Sequence, residues 1–528
     1  MTEQHDSAQL GELFDVALVG YGPVGQALAI TLAQQGHRVV VLERWPQPYP
    51  LPRAITFDHE CARILQSLGV MDALAPHTTT SPRYEWRNAG GQVLKAFDGQ
   101  DAPAPSGWPV ATLFNQPDLE RVLDERVRSF GGQVTLLQGC EVTAVQQQGE
   151  QVLLSAQRAG TGADPLQVRA RYAVGCDGAG SLVRSAMGSD YEDLGFSADW
   201  LVVDLMPKDP AQWTRELVQL CDPARPTTMV AGGPGRRRFE FMLLAGETKA
   251  EMNNIDTAWR LLAPHGWSAD NAVLQRHAVY TFRGCVARQW RQGRLMLAGD
   301  AAHLMPPFAG QGLCAGLRDS AALGWRLDQL LRGHADDSVL DSYGPERSAH
   351  VRRFIDFSIM LGGVICILDA EAAAGRDAFL LGPGKLQEDR YPGSSLPPSP
   401  QLRAGDRQAG ELSPQGRVRR GERAGRFDDV AGRGFVLLGV DADPAAALTA
   451  AQRQFMDRIG ARVLQVRADP GADTDAGTLQ DSAGVYRQWL AQLGTPAVLV
   501  RPDFYVFGAG TAPALVDALQ ASLQAARH

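Results

Sequence analysis

Residues 14–43, FDVALVGYGPVGQALAITLAQQGHRVVVLE, decide the fold. Phe14 to Val19 is a short, unbroken apolar run, the pattern of a strand buried on both faces. Gly20-Tyr21-Gly22-Pro23-Val24-Gly25 follows at once, a helical pattern runs from Val24 to about Gln35, and Gly36 stops it. Arg38 to Leu42 then forms a second strand, ending at Glu43. Strand, glycine turn, helix and strand in this order make the unit that binds a dinucleotide. Gly20 permits the tight turn, Gly22 lets a pyrophosphate approach the backbone at the helix N-terminus, and Gly25 allows helix to pack on strand. Glu43 stands ~20 residues along, where an acid accepts from ribose hydroxyls, and Arg44 beside it is grouped with the cofactor contacts. The bland alternative is a plain glycine turn with a solvated Glu43. The motif alone does not separate NAD from FAD.

The chain around this unit has 528 residues, enough for roughly three domains. Its 45% hydrophobic and 21% charged residues are those of an ordinary folded protein, and the net charge is −8. That balance offers no cationic surface for non-specific nucleic-acid binding. The seven cysteines include no C-x-x-C pair, which argues against a zinc site or a dithiol centre, and no metal is expected. Met1 to Gly11 is polar, without the apolar core of a signal peptide. The longest apolar run, Ile359 to Leu368, is too short for a bilayer and reads as a buried helix. The expected location is cytoplasmic, with no membrane span.

Two further motifs lie far downstream. Tyr172 to Ser181 (YAVGCDGAGS) is a β-run ending in Asp177-Gly178, followed by a small-residue turn toward Arg184. Arg294 to Ala298 is a buried strand that runs into Gly299-Asp300 and on through His303, Pro306-Pro307-Phe308-Ala309 and Gly310-Gln311-Gly312. A long helical pattern then carries Leu313 to Leu331. With these motifs in this order, roughly Phe14 to Asp369 resembles the class A FAD-dependent aromatic hydroxylases, typified by para-hydroxybenzoate hydroxylase. The resemblance implies that Asp300 binds a ribityl hydroxyl of FAD. It gives Asp177 and Gly178 to the nucleotide site and NAD(P)H passage, and Arg53 to a mobile loop near the flavin. Gln116, opening a helix to Phe130, would lie beside the ribityl chain, and Pro307 would offer its carbonyl by the reacting position. Gly310, Gly312 and Leu313 would bring backbone N–H groups to the flavin's pyrimidine edge, where a helix N-terminus favours negative charge. His303 is expected to be structural. Taken singly, Asp300 reads equally as a helix cap, Asp177 as a turn residue and Arg53 as a solvated cation.

Strand-like stretches at Trp200 to Met206 and Arg238 to Leu244 suggest an inserted sheet over the substrate. Alternation puts Arg237, Phe239, Phe241 and Leu243 on one face, apolar with an arginine at its rim, suited to an aromatic acid. A half-buried strand with a solvated basic end explains the same pattern. The stretches RRRFEFMLL and GQGLCAGLRD look closest to the 3-(3-hydroxyphenyl)propionate (3-hydroxycinnamate) hydroxylase subgroup. Cys314 stands where the para-hydroxybenzoate enzyme has asparagine.

From Gly382 to Asp428 the chain is rich in Gly, Pro, Arg and Ser, and reads as a linker or wrapping segment. Beyond it come a strand at Phe435 to Val440, a helix at Pro444 to Ile459 and a strand at Arg462 to Val466. A helix at Ser482 to Leu493, strands at Ala497 to Val500 and Phe504 to Phe507, and a helix at Ala512 to Ala526 follow. This order resembles the thioredoxin-like domain appended to many of these hydroxylases, here without cysteine and so without dithiol chemistry.

The expected fold is α/β: a Rossmann-type FAD-binding domain (1–190 and 270–380), an inserted β-sheet substrate domain (191–269 with about 80–115), a linker (381–428) and a C-terminal thioredoxin-like domain (429–528). The resemblance implies a monooxygenase in which NADH or NADPH reduces bound FAD, O2 gives the flavin C4a-hydroperoxide, and a phenolic ring is hydroxylated. Its partner is a small aromatic substrate, and a homodimer is one assembly open to it. The alternatives are a tailoring hydroxylase of a larger polyketide or phenolic product, an FAD-dependent dehydrogenase or reductase, and a non-catalytic flavin-binding module.

Overall fold

The computed structural model describes residues 11–47, 54–158, 165–382, 392–440, 442–468 and 477–524. The strand Leu13–Val19 pairs in parallel with Val39–Glu43 on one side and Leu166–Gly175 on the other. Val134–Gln138 and Leu295–Leu297 extend the parallel set outward. The helix between the first two strands is Pro23–Gln34, with a proline in its first turn, where the missing N–H costs no bond. Pairing register puts Val19, Leu42, Gly175 and Leu297 in one row across the sheet. The first glycine turn, Glu43, Asp177 and Asp300 therefore emerge together at the carboxyl edge, where open α/β sheets bind ligands.

A second sheet carries the chain between the second and third motifs. Its order runs from His303–Leu304 through Ala272–Ala287, Tyr191–Pro207, Arg237–Met242, Thr227–Ala231 and Leu217–Leu220 to Arg83–Arg87 and Val93–Asp98. One face is covered by the amphipathic helix Ile255–Leu262, so Leu201, Val203, Leu205, Phe239 and Phe241 form a small core with Ala258 and Leu262. The other face looks at the Pro306–Gly312 loop, as the ring of Trp200, 5.8 Å from that of Phe308, shows.

The C-terminal sheet has seven strands, with Val436–Val440 central between Arg462–Arg467 and Ala497–Val500. Three details depart from the sequence reading. Arg417–Arg420 and Arg423–Arg426, assigned to the linker, form a hairpin that joins this sheet through Thr478–Asp481, so a boundary at 428 is too late. Thr478–Asp481 is itself a strand that the short polar stretch concealed. The expected helix Pro444 to Ile459 is broken: Leu448 is extended, and Thr449 restarts the helix through a capping box with Gln452. No single helix among the described residues is long and apolar enough to cross a membrane, although the bent pair Ser338–Ile365 and Ala370–Leu381 meets that length and composition together. The run Ile359 to Leu368 ends the helix Tyr343–Ile365, with Leu361 and Ile365 buried.

Candidate active site

The glycines of the first motif are required by space. Gly20 has φ +101°, and a Cβ there would lie 2.4 Å from the Cys176 carbonyl oxygen; on Gly25 it would lie 2.3 Å from that of Gly20. Gly22 has nothing within 4 Å of the position its Cβ would take, and no side chain caps the helix it precedes. The turn is closed toward the protein and open toward a ligand, with uncapped N–H groups beside the opening, which fits a pyrophosphate. Glu43 is fixed by two backbone donors, Tyr21 N–H at 2.7 Å and Trp45 N–H at 2.9 Å. Arg44 is exposed and its guanidinium lies over the Trp45 ring.

Asp177 uses one oxygen to cap the helix Leu182–Ala186, accepting from Leu182 N–H at 2.7 Å and Val183 N–H at 3.2 Å. Its other oxygen is buried with no partner among the described residues, and burial pushes its carboxyl up from the ordinary range. Gly178 has φ +76° and open space around it. Arg184 joins the second and third motifs by donating to the carbonyls of Ala179, at 2.7 Å, and Ala301, at 2.9 Å. Tyr191 donates its hydroxyl to the Asp300 carbonyl, and Gly299 gives its N–H to Asp319 at 3.0 Å. The segment that presents the half-buried Asp300 is thus held from both sides.

Gln116 accepts from Ala54 N–H at 2.8 Å, anchoring the residue that follows Arg53; Arg53 itself lies outside the described residues. The Pro307 carbonyl, expected at the reacting position, takes the Gly310 N–H at 2.8 Å and closes the turn Pro307–Ala309. Gly310 has φ +63°, and a Cβ there would meet Thr56 at 2.7 Å. The helix Gly312–Leu331 begins behind Gln311 with no side-chain cap, and Leu313 lies in its first turn. His303 is structural: it is buried and bonded to Asp319 at 2.8 Å.

Sequence reasoning missed the buried charges beneath this loop. Burial disfavours ionisation of Asp319, but His303 and Arg347 overcome it and hold the carboxyl below its ordinary range. Arg318 donates to Gln311 at 2.9 Å, to Glu60 at 2.7 Å and to Asp58, which it likewise holds ionised against burial. Glu60 also accepts from Tyr505 of the C-terminal sheet domain at 2.5 Å. A cleft of about 660 Å³ between the C-terminal half of the Gly312–Leu331 helix and that domain takes in none of the motif residues.

The face expected to meet substrate is covered. Phe239 and Phe241 pack at a tilt against His265 in the small outer core, and Arg237, on the same side, donates to Thr214 and Glu216. Alternation was read correctly, but the helix Ile255–Leu262 covers that side. The face toward the loop carries Trp200, Arg238, Glu240, Arg276 and Tyr280. Asp204 holds Arg238 through two bonds, 2.7 and 3.0 Å, and Arg276 through two more.

The glycine turn suited to a dinucleotide thus continues to a loop that lies beneath a polar and aromatic sheet face. The FAD binding domain family matches residues 14–358, and the HcaD C-terminal domain family matches 410–525. A probable NADH-specific resorcinol 4-hydroxylase of Rhodococcus jostii (strain RHA1) is 39% identical over 97% of this chain and 95% of its own. A 3-(3-hydroxy-phenyl)propionate/3-hydroxycinnamic acid hydroxylase of Mycobacterium sp. (strain JLS) is 34% identical, covering 94% and 89%. Among solved structures, the flavin-dependent monooxygenase PieE with FAD and substrate superposes with TM-score 0.80 at 20% identity, covering 97% of this chain and 99% of its own. Aklavinone-11 hydroxylase gives TM-score 0.76 at 24% identity with the same coverage, and at these identities both speak for the fold. All three motifs and the sheet above them fall inside the matched stretch, and the chain belongs to the FAD binding domain family, among the class A flavin-dependent aromatic hydroxylases.

Proposed function

We propose that the substrate is an uncharged 3-substituted phenol of the resorcinol type. The enzyme is an FAD-dependent aromatic monooxygenase that consumes NADH and O2. Resorcinol and 3-(3-hydroxyphenyl)propionate, named for the two relatives above, are both phenols substituted at the 3-position, one with a neutral group and one with a carboxylate chain. The observation that carries the choice is Asp204. It engages both Arg238 and Arg276, so the cations on the sheet face are already paired with a carboxylate. An acid substrate placed there would compete with Asp204 for a buried arginine, and displacing one partner of such a pair is costly.

When bound, FAD takes two electrons from NADH and passes them to O2, of which one atom goes to the ring and the other to water. The chain's own residues do the rest. The Gly20 to Gly25 turn and Glu43 would hold the dinucleotide end, and Asp300 the ribityl hydroxyls. The uncapped N-terminus of Gly312–Leu331 would face the ring edge, where its dipole favours negative charge. Trp200 and Phe308, packed edge to face, would shield a ring bound between the sheet and the loop from water.

The test is NADH oxidation, oxygen uptake and product analysis with resorcinol and with 3-(3-hydroxyphenyl)propionate. Resorcinol should give product matched to NADH consumed. Coupled turnover of the acid, with none of resorcinol, would overturn the reading.

A further inference from the structure

We infer that Glu240 is the group that accepts the substrate's phenolic proton. The inference rests on the phenol reading above, but names a residue and a role which that reading does not need. Glu240 lies in the middle of Arg237–Met242, paired across to Val202 on one side and Thr228 on the other. Register and alternation put it on the same face as Trp200, hence toward the Pro306–Gly312 loop. Both ends of this sheet region touch the cofactor domain: Trp200 meets Phe308, while Arg236 reaches Asp118 in the first turn of Gln116–Arg128. The row containing Glu240 bridges between these two supports.

The residue is 7% exposed, and its carboxylate accepts no hydrogen bond from the described residues. Its nearest cation is Arg238, at 3.8 Å, whose shorter bonds go to Asp204. Neither of its oxygens is among the fully buried atoms without a partner, so the group keeps some access to solvent and hence to a ligand. A phenolic O–H is a donor of the right kind to complete it. Thr228, opposite, gives its hydroxyl to Gln219 at 2.7 Å, so it leaves Glu240 to the ligand.

The surroundings suit the role. Burial pushes the Glu240 carboxyl up from its ordinary range, Arg238 pulls it down, Asp204 pushes it up and Arg276 pulls it down. Tyr84 also feels its charge, and the loop opposite, Pro306 to Gln311, has no ionisable side chain. A base with a raised pKa lies nearer to a phenol's own, which eases proton transfer. The phenolic O–H bond breaks as its proton passes to a Glu240 carboxylate oxygen. The electron pair left on oxygen raises density at the ring carbons ortho and para to it. One of those carbons bonds to the oxygen atom derived from O2 and loses its own proton, restoring aromaticity. NADH supplies the two electrons that carry the second oxygen atom to water.

The experiment compares wild type with Glu240→Gln and Glu240→Asp as FAD-loaded enzymes, using whichever of resorcinol and 3-(3-hydroxyphenyl)propionate the wild type turns over. Glu240→Gln should lower product formation about 10²–10⁴-fold. NADH oxidation should continue and yield H2O2, with FAD content and melting temperature held. Wild-type kcat should fall as pH drops through the raised carboxyl pKa, and this acid limb should be absent in the Gln variant. Glu240→Asp should recover part of the rate. A folded, flavin-loaded Gln variant within twofold of wild type in product per NADH overturns the assignment, as does an unchanged acid limb. Loss of flavin or of the fold in both variants assigns Glu240 to structure instead. Turnover of the acid alone removes the substrate reading and leaves the Glu240 comparison to be read on that acid; turnover of neither phenol removes both.

Discussion

Tyr505→Phe deletes one hydroxyl, 445 positions along the chain from the carboxylate it serves. Glu60 is 1% exposed, so water does not replace the lost donor. A hydrogen bond to a charged group contributes about 1.5–3 kcal/mol, and here the unpaired oxygen remains buried. At about 2–4 °C per kcal/mol, melting of the FAD-loaded enzyme should fall by about 3–12 °C. A second effect should accompany it, because Glu60 holds Arg318 and Arg318 holds Gln311 between the two glycines of the flavin loop. Loosening that loop should let the ring misalign, and a shift of ~1 Å can cost about a hundredfold in rate. Product per NADH should therefore drop even with FAD saturating. Tyr172→Phe is the control, since Tyr172 gives its hydroxyl to the exposed Asp337 at 3.2 Å, away from the loop. If Tyr505→Phe matches wild type in both melting and coupling, the chain of bonds from the C-terminal domain to the flavin loop carries no load.

Glu43→Ala should weaken FAD binding by roughly 1–3 kcal/mol through a lost charge-assisted bond, measured as a flavin dissociation constant; an unchanged constant removes Glu43 from the site. Asp300→Ala, saturated with FAD, should uncouple NADH oxidation from product, and a wild-type ratio would reduce Asp300 to a turn residue. Asp58 and Asp319 are both held below the ordinary carboxylate range, so their stabilisation is present above the unfolded pKa near 4 and is lost as pH falls through the depressed folded values. Melting temperature should be flat from pH 5 to 7 in respect of these groups and fall below about pH 4; equal melting at pH 3 and pH 6 would contradict this. Burial pushes the Cys221 and Cys366 thiols up to about 12, so neither should react with iodoacetamide at pH 8 in the folded enzyme, as mass spectrometry of the labelled protein would reveal.

The cofactor edge was legible because its signals are local. Gly20 and Gly25 are demanded by backbone contacts within one turn or beside an adjacent strand, and such demands leave glycines in the sequence. Which face of Arg237–Met242 is left uncovered was not legible, because alternation separates two faces without saying which one a helix will cover; Ile255–Leu262 decides that from elsewhere. The ion pairs of Arg318 join residues 58, 60 and 318, and that of Arg63 joins residue 428, so no window of sequence contains them. The hairpin Arg417–Arg420 with Arg423–Arg426 was hidden by composition: arginine and glycine mark solvent and turns, whereas these strands are held by pairing at a sheet edge.

Phe504 is the one non-glycine residue with positive φ among the described residues, at +72°, in the turn that delivers Arg501 and Tyr505 to the cofactor domain. Its ring lies 4.3 Å from the Arg63 guanidinium, while Arg501 reaches Glu346 at 2.8 Å through both terminal nitrogens. Two fully buried acids, Glu60 and Glu346, thus obtain donors from Tyr505 and Arg501 of the C-terminal sheet domain. During synthesis, the strands and glycine turns of the cofactor domain emerge hundreds of residues before those donors. Until Arg501 and Tyr505 leave the ribosome, that domain carries two carboxylates short of partners in its interior. A prematurely terminated chain keeps that deficit permanently, so the same contacts that steady the flavin loop make truncated copies self-destabilising and open to proteolytic clearance.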